Sequence, residues 1–291
     1  LKPHKTASST VRGVSLRIAR KMALRLNRTQ EFCPVACRHG FASQKFQKRD
    51  PTRSFLWTII REPTQRIRSS FFHFEVSRRK IEPTDREFQE YAKFHSEYYD
   101  QRLPLNGEEK DQYTRYQSVI DDYDFIGVTE RLDESLVALK MLLAIPFDDI
   151  LYLSAKRSGG YDDGLYEDTC VYIVPAFTSP GMQDFFASPE WQKRIRFERA
   201  LFLAANRSLD LTIDELGREQ FLQQLNTFRL LRDAAFEECL DRAVFPCLAS
   251  GEPSLPEDRD CLWGDSGCGV SCLDRVYREW EHNITLMLGE E

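Results

Sequence analysis

Two short stretches carry residue types suited to holding anions. His4-Lys5-Thr6-Ala7-Ser8-Ser9-Thr10 places one lysine beside a run of hydroxyls, just ahead of an apolar pattern with helical spacing. Backbone N–H groups at a helix N-terminus favour an anion, the hydroxyls add donors and Lys5 adds charge, so a phosphate or sulfate suits this loop. The same residue types are common helix N-caps. The run departs from G-x-x-x-x-G-K-[ST], because its lysine precedes the hydroxyls and it has no glycine. The second stretch is Arg61-Glu62-Pro63-Thr64-Gln65-Arg66-Ile67-Arg68-Ser69, which follows an apolar run. Arginine binds a phosphate through a planar fork and Ser69 adds a hydroxyl two turns further on. Alone, such arginines also belong on a solvated helix face. Jointly, the two stretches suit a ligand with two separated anionic groups.

The elements that must position them can be read from periodicity. Leu1 to Pro3 is expected to be a short strand. Val11, Val14, Ile18, Met22 and Leu26 predict an amphipathic helix over Ser9 to Leu26. SFLWTII, Ser54 to Ile60, reads as a strand buried in a parallel sheet, and Pro63 then opens a helix from Thr64. Asp124 to Thr129 predicts a second strand, Glu130 to Leu143 a helix, and Asp149 to Ser154 a third strand. Strands alternating with helices imply an α/β fold with a central, mostly parallel sheet, whose ligands sit at the carboxyl ends of the strands. Beyond Pro189 the pattern is helical to about Ala243. From Phe245 the chain is rich in Gly, Pro, Cys and Asp, which predicts a loop-like, disulfide-tied appendage. The expected division is therefore 1–244 as one domain and 245–291 as a Cys-rich tail.

A lysine-and-hydroxyl loop after a first strand, then Arg and Ser eight residues apart after a later one, resembles the two signatures with which sulfotransferases bind 3'-phosphoadenosine-5'-phosphosulfate (PAPS). HKTASST, Cys37-Arg38-His39, TIIREP, DESLVALKMLL and DDILYL resemble the Golgi galactose-3-O-sulfotransferases, with kinship to the heparan uronyl 2-O-sulfotransferases; the similarity covers roughly residues 1–215. The tail matches no such pattern. The resemblance implies a P-loop-like sulfotransferase fold and transfer of a sulfuryl group from PAPS to a hydroxyl of a carbohydrate, with adenosine 3',5'-bisphosphate as product. It implies that Lys5, Thr6, Ala7, Ser8, Ser9 and Thr10 cradle the 5'-phosphosulfate, and that Arg61 and Ser69 hold the 3'-phosphate.

Lys5 is then the residue expected to stabilise charge on the bridging oxygen. His39 is the first candidate for general base, since it stands where the related carbohydrate enzymes place a histidine that acts as base. His4 neighbours Lys5 but is expected to be turned by the loop and to support it, His73 is expected on the helix after Arg61, Glu75 is a substitute base of the kind some sulfotransferases use, and His95 and His282 have no supporting context. The loop Lys156-Arg157-Ser158 is basic and follows a predicted strand, so it is expected to close on the nucleotide. Fixed N–H groups and a lysine can neutralise the leaving bisphosphate, so no metal is expected.

Composition narrows the partners. Forty basic residues against 46 acidic ones give a net charge of −6, which argues against a nucleic-acid partner and confines any basic site to a local patch. Eight cysteines and three Asn-x-Ser/Thr triplets, at Asn27, Asn206 and Asn283, favour an oxidising compartment. The cysteines lack companion histidines at zinc spacing and read as disulfides, with pairing inside the tail favoured and Cys170 expected to be a buried free thiol. The chain enters its first motif within four residues of Leu1, so it reads as trimmed. The expectation is a type II membrane parent protein in the Golgi lumen, with membrane contact only through an N-terminal anchor upstream. Two other readings stand beside the transferase: a P-loop kinase-like phosphotransferase, and an inactive glycan-binding relative.

Overall fold

The computed structural model describes residues 1–27, 39–105, 112–154, 158–163 and 169–289. In chain order the elements are α1 (Ser8–Arg25), α2 (Ala42–Phe46), β1 (Trp57–Ile60), α3 (Pro63–Phe71), a π-helical segment (Phe72–Arg78), α4 (Asp85–Phe94) and α5 (Tyr98–Arg102). Next come α6 (Gln112–Asp122), β2 (Phe125–Val128), a 3-10 turn (Thr129–Arg131), α7 (Leu132–Leu142), α8 (Phe147–Ile150), β3 (Tyr161–Asp163) and β4 (Cys170–Tyr172). The remainder is α9 (Pro180–Ala187), α10 (Pro189–Arg194), α11 (Arg196–Glu215), α12 (Arg218–Cys239), a second 3-10 turn (Pro256–Asp258), β5 (Cys261–Trp263), β6 (Ser266–Cys268) and α13 (Val270–Leu288). The protein is thus mixed α/β, mainly helical, with small sheets.

Two compact units interleave along the chain: Leu1–Ser8, Arg38–Glu130 and Ile173–Leu209 form the first, and Ser9–Cys37, Arg131–Tyr172 and Asp210–Glu291 the second. In the first, β1 and β2 pair in parallel with Ile60 opposite Val128. Their apolar runs are buried, as expected of parallel strands. Leu1 donates its N–H to Trp57 O (3.1 Å) beside β1, although Leu1 to Pro3 form no strand. Pro63 stands in the first turn of α3, and the Glu62 side chain accepts from Gln65 N at 2.7 Å, a capped start. Ile67 and Phe71 then lie on one face of α3 and meet Phe88 and Ala92 of α4, with Met182, Phe185 and Trp191 completing an aromatic core.

The second unit holds α12 packed against α7 and α13. Among the described residues three disulfides, Cys170–Cys247, Cys239–Cys272 and Cys261–Cys268, staple it. Disulfides of this number mark maturation in an oxidising compartment. Cys170 is therefore not the free thiol its isolation in sequence suggested; β4 carries it to the loop that follows α12, where Cys247 waits. Cys33 and Cys37 lie outside the described residues. The tail also holds more regular structure than expected: a β5–β6 hairpin and a helix, α13, that starts at Gly269 in the left-handed region and buries Val270, Leu273, Val276 and Ile284.

A further correction concerns Asp149 to Ser154. Phe147–Ile150 is a helical turn, and the buried residues 151–153 follow it with no ladder among the described residues. The acids explain the difference. Asp148 is buried against Arg17 and Lys21 of α1, and Asp149 is gripped by Arg25 at 2.8 and 2.5 Å, so ion pairs rather than strand pairing fix this segment. For the same reason Arg17 lies buried, while Met22 and Leu26 of the predicted stripe are exposed. No described helix is long and apolar enough to cross a membrane. Asn206 sits in α11 with its amide donating to Phe202 O (3.0 Å), whereas Asn283 is exposed on α13.

The tail hairpin packs on α1 through two glycines. A methyl group on Gly13 would lie 2.4 Å from Gly267 N and 2.8 Å from its Cα, both backbone atoms that cannot swing aside. Arg12 lies over the Trp263 ring at 5.3 Å, and Ser9 Oγ donates to Asp265 at 3.2 Å. Gly13→Ala is thus expected to destabilise the protein by about 1–3 kcal/mol in urea unfolding, although alanine is intrinsically the better helix former. A variant as stable as the wild type would mean that this contact is not tight.

Candidate functional site

The first unit draws several of the sequence-predicted residues together around the His4–Ser8 loop. Lys5 (φ 62°) and Ala7 (φ 53°) adopt the left-handed region without being glycine, while Thr6 between them does not. Such residues cost on the order of 1–3 kcal/mol each and persist only where the surroundings enforce them. Here Thr6 is buried and its Oγ1 donates to Pro3 O (3.0 Å), and His4 N donates to the Tyr98 hydroxyl (2.8 Å). Left-handed residues on either side of Thr6 bend the backbone sharply here, the kind of turn in which successive N–H groups can face an anion. Among the described residues the N–H groups of Thr6, Ala7 and Ser8 find no acceptor. The loop leads directly into α1.

Arg61 joins this loop from the end of β1. Its backbone is pinned at both ends by one hydroxyl: Arg61 N donates to Tyr99 Oη (2.8 Å), and Tyr99 Oη donates to Arg61 O (3.0 Å). Its guanidinium reaches Lys5 O (Nη1, 3.4 Å) and stands 3.8 Å from Glu130 Oε1. Burial pulls the Arg61 pKa down, Glu130 opposes that pull, and Arg68 adds a like charge. A cation so placed is poorly compensated by the protein and suits an incoming anion. Ser69, on α3, is half-buried, and its hydroxyl makes no hydrogen bond among the described residues.

His39 also reaches the loop. Its ring stacks on His4 at 3.6 Å with an 8° interplanar angle, and His4 meets Phe74 and Tyr98 edge-on. Burial, then the charges of Arg102, Lys2, Lys5 and Arg66, hold the His4 pKa at about 4, so His4 is neutral near pH 7. The other residues are placed differently. Ser9 bonds Asp265 and Thr10 is buried, both within the second unit. Ser158 is exposed in a turn of that unit, and Lys156 and Arg157 lie outside the described residues. His73 is buried against Phe74, Glu75 pairs with Arg79 (3.1 Å), His95 packs on Tyr91 (4.2 Å) and His282 is exposed on α13. Among the described residues no group of three or more His, Cys, Asp or Glu is arranged to hold a metal.

Several residues around the loop carry no signal in the sequence. Arg66 is buried and lies over the Tyr98 ring at 4.4 Å, with Nη2 donating to His95 O at 3.0 Å. Glu198, far along the chain, accepts from Tyr99 N (2.5 Å) and Asp100 N (3.0 Å), capping α5, and lines a cavity of about 400 Å³ with Glu97, Lys193 and Arg196. Tyr99 is wholly buried and serves the backbone of Arg61 instead of an open cleft.

Burial raises the Glu198 pKa to about 7, with Arg66 pulling the other way. A raised carboxyl favours folding below its unfolded value of 4.5 and loses that benefit as pH climbs through 7; a depressed histidine favours folding above 6.5 and loses that benefit as pH falls toward 4. Between 4.5 and 6.5 the two slopes oppose each other. Glu198→Gln keeps an oxygen for the two N–H groups and removes one slope. Relative to wild type, its unfolding free energy is expected to rise by roughly 2–3 kcal/mol between pH 4.5 and pH 8. Urea titrations across that range that ran parallel for the two proteins would contradict the buried-acid assignment.

No family model, curated protein or solved structure matches the chain. Its function rests on the geometry just described.

Proposed function

We propose that the chain is a PAPS-dependent carbohydrate O-sulfotransferase with the P-loop-like fold of that class, akin to the galactose-3-O-sulfotransferases and resident in the Golgi lumen. The observation that carries this reading is the approach of Arg61 to Lys5: the guanidinium of the second motif lies 3.4 Å from the carbonyl of the first, which puts both motifs within reach of one ligand. The donor, when bound, supplies an activated sulfuryl group and a bisphosphate leaving group. The N–H groups of Thr6, Ala7 and Ser8 face the phosphosulfate, and Lys5 neutralises the charge that grows on the bridging oxygen. Arg61 and Ser69 take the 3'-phosphate.

His39 accepts the proton of the attacking hydroxyl. Its stacked neighbour His4 is neutral, so the imidazolium formed on His39 meets no second imidazolium, and the flat ring-on-ring contact fixes its plane. The residues fit the donor without a metal, since fixed dipoles and cations supply the charge it needs. The kinase reading loses ground because the loop contains no glycine and its lysine leads the hydroxyls. Transfer of labelled sulfate from PAPS to a panel of glycans starting with galactose-terminated ones tests the proposal. Product on any sugar hydroxyl supports it, and binding without turnover would favour the inactive glycan-binding relative.

A further inference from the structure

Arg102 closes α5 beside the histidine pair. Its guanidinium carbon lies 4.8 Å from the centroid of Phe41, two residues beyond His39, and 4.8 Å from that of Tyr98, whose hydroxyl holds His4 N at 2.8 Å. Its Nε is buried and finds no acceptor, and its guanidinium makes no ion pair among the described residues. Arg66 shares the Tyr98 ring, but it is buried, its Nη2 donates to His95 O, and it interacts with the buried Glu198. Arg102 has no such compensation, yet the residue is only half-buried and so remains reachable. A guanidinium lying over aromatic rings keeps its in-plane N–H edge, and that edge matches a planar or tetrahedral oxyanion in a two-point contact.

We propose that Arg102 is a specificity residue for the acceptor, holding an anionic substituent, a carboxylate or a sulfate ester, on the sugar that presents its hydroxyl to His39. This rests on the sulfotransferase reading. The donor's own anions have Lys5, the loop N–H groups, Arg61 and Ser69; Arg102 stands instead with His4, His39 and Phe41, where the hydroxyl must arrive. Phe41 and Tyr98 add apolar ring faces of the kind sugars pack on.

The test is calorimetry on the full chain, with and without saturating adenosine 3',5'-bisphosphate. The probes are a glucuronate-terminated disaccharide, a sulfated galactose-terminated disaccharide and its neutral counterpart. At least one anionic probe is expected to bind about tenfold tighter than the neutral one, and to lose that advantage in Arg102→Gln while bisphosphate affinity stays within about twofold. The glucuronate and sulfate arms tell which substituent is read. Equal binding of all three sugars to the wild type overturns the proposal without recourse to any variant. Loss of bisphosphate affinity in Arg102→Gln overturns it too, by moving Arg102 to the donor. Should the bisphosphate not bind the wild type at all, the sulfotransferase reading falls, and the titrations without it still decide whether Arg102 selects acidic sugars.

Discussion

Lys5→Ala is expected to slow sulfuryl transfer by on the order of 10²–10³-fold. The lysine is half-buried in a loop whose shape is set by neighbours: Thr6 Oγ1 on Pro3 O, His4 N on Tyr98, and the Arg61 guanidinium on the Lys5 carbonyl. Alanine tolerates the left-handed backbone no worse than lysine does, and Ala7 already adopts it two residues on. The loss should therefore fall on the chemical step, where charge on the bridging oxygen is largest, and single-turnover rates with saturating PAPS would measure it. An unchanged rate would remove Lys5 from the chemistry. Lys5→Arg is not expected to restore it, since a planar fork cannot place one point charge where an ammonium does.

The second large effect concerns Arg61. Removing one partner of a buried, charge-assisted contact typically costs 2–5 kcal/mol, so Arg61→Ala is expected to weaken bisphosphate binding by about a hundredfold or more. The fold should survive the change, because Tyr99 holds Arg61 through its backbone N–H and carbonyl, which alanine keeps. The guanidinium, by contrast, has among the described residues only a long contact with Glu130 and one with the Lys5 carbonyl. If affinity falls while urea stability holds, Arg61 is a ligand contact. If both fall together, it is a structural cation.

The elements that position the loop were legible because their signals are local. Periodicity marked α1, α3 and α7, and continuous apolar runs marked β1 and β2. The resemblance drew Lys5, Arg61 and His39 to one place, and the structure sets Lys5 beside Arg61 and stacks His39 on His4, the neighbour of Lys5. Long-range compensation was not legible. Asp148 and Asp149 break an otherwise strand-like run because Arg17, Lys21 and Arg25 bury them, a pairing across more than a hundred residues that no window detects. The tail looked like loop because Gly and Cys dominate its start, while the apolar face of α13, Val270, Leu273 and Val276, is diluted by Cys272 and a charged outer side. Glu198 and Arg102 gave no signal, since what distinguishes them is a buried cap and a missing counter-ion.

The most direct test is titration of adenosine 3',5'-bisphosphate into the folded protein in metal-free buffer, beside ATP with magnesium and with Arg61→Ala as the control. The two-anion site predicts metal-independent binding of the bisphosphate that the variant loses. Absence of binding, or a preference for ATP with magnesium, would contradict it.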